Sequence, residues 1–351
     1  MEMRYRLPAE WEPQSMVMLT WPHQETDWNQ YLEDITRTYV EMADAITQRE
    51  RLLVVTPHPV EVGAILGRHL TASQMAQVTI SYCKTNDTWA RDHGPISLVG
   101  EDSDGKKKLL CLDFCFNGWG DKFPADLDNK ITRNVFSELF SDEILNGDIG
   151  SGNDDFVLEG GSIESDGKGT VFTTECCLMA PHRNQPLTKE EIEQELKLRL
   201  KARSVVWLQH GAVPGDDTDG HIDTTVRLAP DDTIVYCHPA DKKELEALRT
   251  IDGKPYRLLE LPTPEVEYDG EALPATYANF LIINGAVIVP VYDNPEKDRM
   301  ACEIIQSAFP NRTIIPIDAT VIVRQHGSIH CCTMQIPQTT QENEDRNNTT
   351  A

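Results

Sequence analysis

Glycine-bearing motif segments recur along this chain, beginning near residues 86, 159, 221, 279 and 327. A spacing of roughly fifty to seventy residues is the length of one strand-rich α/β unit, so the pattern predicts about five such units. Strand pairs with turn residues between them fit the same scheme. Ser162–Glu164 and Thr170–Thr174 flank Asp166-Gly-Lys-Gly169, and Thr224–Leu228 and Thr233–Cys237 flank Ala229-Pro-Asp-Asp232. Asn279–Ile283 and Ala286–Val291 flank Asn284-Gly285, a signature of a type I′ hairpin.

Helices alternate with these pairs. Trp28, Tyr31, Leu32, Ile35, Tyr39, Met42, Ala43 and Ile46 share one helical face. Further helices are predicted over Val60–Leu70, Ile131–Phe140, Lys189–Lys201 (with a Thr188/Glu191 capping box), Asp241–Arg249 and Pro295–Phe309. Strands are expected at Ser15–Trp21, Arg51–Thr56 and Val78–Cys83, with an extended apolar run from Thr313 to Val323. No Pro/Gly/Ser linker divides the chain, so residues 1–337 are read as one α/β domain. Residues 338–351 carry no apolar group larger than a methyl and are expected to be a disordered polar tail.

A net charge of −25 argues against a nucleic-acid partner, because a phosphate backbone needs a basic footprint. It suits a cationic substrate drawn into an acidic field, and equally a merely soluble surface. The nine cysteines are odd in number and lack metal-type spacing, so no metal is expected. Met1–Pro8 lacks a signal-peptide core and no stretch reaches the ~20 apolar residues of a membrane span. Reduced thiols in the cytoplasm are the default expectation.

Chemistry points to four segments. Gly327-Ser-Ile-His-Cys331 offers a thiol, Trp89-Ala-Arg-Asp92 and Gly220-His-Ile-Asp223 offer carboxylates, and Glu159 precedes a glycine pair. Two carboxylates facing one planar cation match the bidentate pairing a guanidinium prefers. Asp92 could instead pair with Arg91, and Asp223 could cap a turn. His221 lies two residues before Asp223, so on an extended strand both would face one way and the imidazole could shuttle protons. Glu159 could orient that imidazole, hold the cation, or lie solvated in its turn. On an extended strand Cys331 and Thr333 would face the site, with His330, Cys332 and Met334 turned toward packing. Neither a G-x-S-x-G elbow, a P-loop nor H-E-x-x-H is present. Thiol, imidazole and carboxylates together suit attack on an electrophilic, positively charged carbon.

Several pieces resemble the agmatine deiminase family, which is related to bacterial peptidylarginine deiminases. They are Leu7-Pro-Ala-Glu-Trp-Glu12, Trp21-Pro-His23, Asn86-Asp-Thr-Trp-Ala-Arg-Asp-His-Gly-Pro95, Phe116-Asn-Gly-Trp-Gly120, Glu159-Gly-Gly-Ser-Ile-Glu164, Gly220-His-Ile-Asp-Thr224, Tyr277-Ala-Asn-Phe280 and His326-Gly-Ser-Ile-His-Cys331. The resemblance implies a five-bladed α/β propeller of the pentein class. It also implies a cofactor-free hydrolase that converts agmatine to N-carbamoylputrescine and ammonia in putrescine formation. Carried onto this chain, Cys331 is the nucleophile that forms an amidino-cysteine and His221 the proton shuttle. Asp92 and Asp223 grip the guanidinium with Glu159 in support, and Trp89 walls the site. Relatives suggest a homodimer. Cys332 beside the nucleophile is a local departure, as is His326-Gly-Ser328, where relatives carry more glycine. A peptidylarginine deiminase is the runner-up, and a non-catalytic polyamine-binding protein the reading from a different class.

Overall fold

The computed structural model describes residues 3–142, 144–151, 155–209, 211, 213–237 and 242–339. Five sheets of three or four strands share one pairing scheme, an antiparallel pair followed by a parallel partner. They are Ile96–Glu101, Lys107–Asp113 and Gly147–Ser151; Ile163–Ser165, Thr170–Thr174 and Ser204–Leu208; Val226–Ala229, Thr233–Tyr236 and Arg257–Glu260; Leu281–Ile283, Ala286–Val291 and Thr313–Asp318; and Thr333–Pro337, Gln14–Thr20 and Arg51–Thr56. Arg4–Arg6 edges the first sheet, Val78–Tyr82 extends the last, and Glu267–Tyr268 with Glu271–Ala272 forms a separate ribbon.

The parallel partner follows from the helices. Parallel strands cannot be joined by a tight turn and need a crossover. Helices Ile131–Ser141, Lys189–Leu200, Lys242–Ala247, Pro295–Ala308 and Leu32–Thr47 supply one for each sheet. Leu32–Thr47 shows how sequence builds such a unit. Ile35, Tyr39, Met42, Ala43 and Ile46 recur at helical spacing and are all fully buried against strand residues Val17, Leu19, Leu52 and Val54. Each large side chain so buried contributes about 1.5–3 kcal/mol. Thr188 caps Lys189–Leu200 through the expected reciprocal box, with Thr188 N donating to Glu191 Oε2 at 2.8 Å.

Observed helices and strands agree with the expected ones to within a few residues, with three departures; Asp241 lies outside the described residues. The Asn284-Gly285 turn is not type I′, which needs positive φ at both residues, because only Gly285 (φ 73°) is left-handed. Asn284 is held instead by its side chain, which accepts from Gln14 N (3.1 Å) and donates to Gln14 O (2.9 Å) and Glu50 Oε2 (2.5 Å). The run from Thr313 stays extended only to Asp318, and Ile322–Gln325 turns into a 3-10 helix. Cys331 sits in a turn, with the strand beginning at Thr333. At the chain's end Gln338 N donates to Pro13 O at 2.9 Å, while residues 340–351 of the expected tail lie outside the described residues.

Candidate active site

The segments just before the first strand of each sheet bring together the residues singled out above. Asp92 precedes Ile96–Glu101, Glu159 precedes Ile163–Ser165, and His221 and Asp223 precede Val226–Ala229. Asn279 precedes Leu281–Ile283 and Cys331 precedes Thr333–Pro337. All six are buried. Equivalent positions in five similar units thus converge on one point.

Two glycines make that convergence possible. A Cβ on Gly161 would stand 2.5 Å from His221 Nδ1, 2.8 Å from Asp92 Oδ1 and 3.2 Å from Asp223 Oδ2. Gly161 N donates to Asp92 Oδ1 at 3.0 Å. A Cβ on Gly327 would lie 2.1 Å from the Trp89 ring, so only glycine lets the Cys331 turn pass across that indole. The turn is pinned from both sides: Cys331 N donates to Asn279 Oδ1 (3.2 Å), and Arg91 N donates to Cys331 O (3.1 Å).

Cys331 Sγ lies 3.7 Å from Asp223 Oδ2. Burial, then the Asp223 and Asp92 charges, push its thiol well above the usual cysteine range. With these charges alone the sulfur keeps its proton, and a cation beside it would release that proton. Asp92 accepts from Trp119 Nε1 at 3.0 Å, and burial raises it to about 6 despite the nearby His221. Asp223 is held lower than an ordinary aspartate. Burial opposes its charge, but the hydrogen bond to His330 Nδ1 (2.7 Å) and the His330 and His221 charges outweigh burial. Asn279 Nδ2 donates to the same Asp223 oxygen at 3.1 Å, leaving Oδ1 without a hydrogen bond.

His221 and Asp223 share the site for a reason other than strand alternation. Ile222–Thr224 is a 3-10 turn with His221 as its N-cap, and the turn points both residues inward. His221 Nδ1 is 3.6 Å from Asp92 Oδ1, and neither ring nitrogen has a hydrogen-bond partner. Glu159 is fully buried rather than solvated and forms an ion pair with Arg183 Nε at 2.8 Å. His221, Glu159 and Cys177 offer donor atoms within 4.8 Å of one another.

Arg91 does not pair with Asp92; its guanidinium reaches Glu10 Oε1 at 3.1 Å and Gln335 on the opposite side. Because the Cys331 segment is a turn, His330 does not look away from the site as strand alternation requires, but bonds Asp223. Cys332 packs in the apolar core, fully buried.

Trp89, Trp119, Asp92 and Cys331 line a cavity with about 50 Å³ of room, and Asp27, Asp87, Asp216 and Asp217 ring its approach. Asp87 accepts from both Trp28 and Trp89 indoles at 3.0 Å and fixes that wall. Asn279, Trp119 and Arg183 were not among the expected site residues. For Asn279 the signal was available, since it occupies the remaining repeat start. Trp119 adopts left-handed backbone (φ 58°) inside Phe116-Asn-Gly-Trp-Gly120, which no periodicity reveals.

Residues 6–337 match the family model for Porphyromonas-type peptidyl-arginine deiminase. A Porphyromonas gingivalis structure provisionally titled an arginine deiminase is 44% identical, with TM-score 0.84, covering 96% of this chain and 99% of its own. A C. jejuni agmatine deiminase, solved as a cysteine-to-serine variant with substrate bound, is 35% identical with TM-score 0.83 over 97% of this chain and 98% of its own. A Vibrio parahaemolyticus protein provisionally named agmatine deiminase is 31% identical over 95% of this chain and 97% of its length.

Proposed function

The chain belongs to the Porphyromonas-type peptidyl-arginine deiminase family, and from that premise we propose that it is an agmatine deiminase. One observation carries this reading: a cavity lined by the Cys331 thiol and Asp92 lies beside the buried carboxylates Asp223 and Glu159, and further aspartates line its approach. A flat cation with a cationic tail suits every part of it. The guanidinium supplies N–H donors to Asp92, to Asp223 Oδ1 and to Glu159, and its charge lowers the Cys331 proton affinity. The relative captured with substrate as a cysteine-to-serine variant supports the same chemistry.

In the proposed reaction the Cys331 thiolate adds to the guanidinium carbon. Its C–N bond then breaks, and ammonia departs with a proton from His221, leaving an amidino-cysteine. His221 next takes a proton from water, whose oxygen adds to the same carbon. The new hydroxyl gives its proton to solvent as the C–S bond breaks, N-carbamoylputrescine leaves as the neutral ureide and the thiolate returns. The product feeds putrescine formation. No cofactor takes part, and the cytoplasm, where thiols stay reduced, is the proposed setting.

The same proposal includes the architecture. The five similar sheets are blades of one α/β propeller over residues 1–337, which acts as a homodimer, with 338–351 as a polar tail. The pairing of Thr333–Pro337 with Gln14–Thr20, from opposite ends of the chain, supports closure of the ring.

A peptidylarginine deiminase is the second reading, favoured by the name of the family. The small cavity opposes it. Ammonia release from agmatine, free arginine and a peptidyl arginine, at equal concentration, tests the choice. Agmatine should be strongly preferred, because arginine brings an α-carboxylate to Asp27, Asp87, Asp216 and Asp217. Equal turnover of arginine, or preference for the peptide, would sink the assignment.

A further inference from the structure

A second cleft, with about 590 Å³ of room, opens beside the first and shares Asp27, Asp87, Trp119 and Phe123 with it. At its rim stand His23, Glu25 and His58. Glu25 Oε2 is 3.4 Å from His23 Nδ1 and 3.4 Å from His58 Nε2, and the three donor atoms lie within 4.8 Å of one another. The two imidazoles meet edge to face, with centroids 5.5 Å apart. We propose that His23 Nδ1, His58 Nε2 and the Glu25 carboxylate form a divalent transition-metal site of zinc type, with a fourth position open to the cleft.

The separations favour an ion over a proton as the shared partner. A charge-assisted N–H···O bond is about 2.7–2.9 Å long. Two ligands held about 2.0–2.1 Å from a tetrahedral zinc ion stand about 3.3 Å apart. The 3.4 Å separations match the second distance. Two histidines and one glutamate with an open position also form a known catalytic zinc set.

Each imidazole is prepared to ligate. His23 Nε2 lies 2.9 Å from Thr85 Oγ1, the outer hydrogen bond that fixes a ligating histidine's tautomer. With that bond donated, Nδ1 carries the ring's lone pair, which accepts a long hydrogen bond from Glu25 N at 3.3 Å that an ion would replace. His58 Nε2 is a buried atom with no hydrogen-bond partner.

The fold explains the placement. His23 and His58 follow Gln14–Thr20 and Arg51–Thr56, adjacent parallel strands that end side by side. The crevice beyond the carboxyl ends of parallel strands is where open α/β sheets bind ligands. The N-terminus of helix Pro59–His69 beside His58 and the cleft's Lys84 work against a cation. Glu25, Asp27, Asp87 and Asp128 outnumber them on the same cleft.

The test uses the full chain carrying Cys331→Ser, freed of metal by a chelator. It is titrated with Zn²⁺ against a chromophoric competitor, and separately with Co²⁺ followed by visible absorption. One ion per chain is expected, with tetrahedral Co²⁺ bands and no sulfur-to-metal charge-transfer band. His58→Ala should weaken binding at least about a hundredfold, and Thr85→Val about tenfold with unchanged stoichiometry. The His58 side chain has no hydrogen bond to another described residue, and the backbone hydrogen bond from His58 N to Thr56 Oγ1 is kept in His58→Ala, so the metal-free melting temperature should match its parent. Unchanged zinc affinity in both His58→Ala and His23→Gln, a thiolate band with Co²⁺, or no bound ion would overturn the proposal.

Discussion

The floor of the thiol cavity and the charge cluster behind it are both crowded with ionisable groups, yet their hydrogen bonding differs. Behind the cavity Glu10 meets Arg91 (3.1 Å), Arg227 (2.5 Å) and His330 (2.9 Å), and Arg227 also pairs with Glu164. Arg227 donates further to Ala278 O (3.1 Å) and Phe280 O (2.5 Å) and stacks 4.6 Å over the Phe280 ring. Burial opposes the Glu10 charge, but His330, Arg91 and Arg227 hold its carboxyl well below the usual range. On the floor, Glu159 Oε1 lies 2.8 Å from Arg183 Nε, but among the described residues both His221 nitrogens and Asp223 Oδ1 have no hydrogen-bond partner. Buried polar atoms are rarely left so. The rear cluster pairs its charges internally, while the front offers acceptors that a cation's N–H groups would satisfy. His330 touches both, bonding Asp223 on one side and Glu10 on the other.

The sharpest break concerns the two adjacent thiols. Cys331→Ser should abolish ammonia release and block labelling by a guanidine-like electrophile, whereas Cys332→Ser, a core position, should keep most activity. The reverse pattern would move the nucleophile and redraw the floor.

Next in size is the rear cluster. Arg227→Met leaves Glu10 and Glu164 with less compensation and should cost about 3–5 kcal/mol in urea unfolding. A loss below about 1 kcal/mol would mean the cluster holds nothing in place.

On the floor the signs should differ. Asp92→Asn or Asp223→Asn should lower kcat/KM about a hundredfold or more, because an amide cannot pair with the cation. Asp92→Asn should not destabilise the fold, since it removes a charge that burial already disfavours. Near-native turnover in either variant would end the clamp assignment.

The pH dependence follows from the same group. Asp92 is raised from 3.8 to about 6 in the folded chain. Its contribution to stability is therefore present below pH ~3.8 and lost as pH rises through about 6. Activity runs the other way, with kcat/KM for agmatine falling as pH drops through about 6 and the carboxylate protonates. A pH series of melting temperatures for wild type and Asp92→Asn should differ in slope across that window. Parallel curves would show that Asp92 does not titrate there.

The smallest effect is expected at Trp119→Phe, which deletes one hydrogen bond to Asp92 and should lower kcat/KM about tenfold. Loss as large as in Asp92→Asn would place Trp119 against the substrate rather than behind the carboxylate.

Much of this was legible without coordinates. Helix Leu32–Thr47 declares itself because apolar residues at helical spacing must share a face whatever they pack against. The capping box at Thr188 and the three hairpins are likewise local, set by residues a few positions apart. The residue types at positions 92, 159, 221, 223 and 331 suffice to propose attack on an electrophilic, positively charged carbon, and the family resemblance of the motifs around them supplied the deiminase reading.

Tertiary structure alone decided which side of each motif faces the cavity. Cys331 lies in a turn, so strand alternation turned His330 away from the aspartate it bonds, and Asp223 lies in a 3-10 turn, so His221 and Asp223 share the site as expected but not through alternation. Arg91 and Asp92 are adjacent in sequence, yet one joins the rear cluster and the other the floor. His23 and His58 meet only because two parallel strands lie side by side. Local sequence sets backbone preference through sterics and short-range hydrogen bonds. The meeting of distant polar groups depends on how the sheets pack, and no local spacing encodes that.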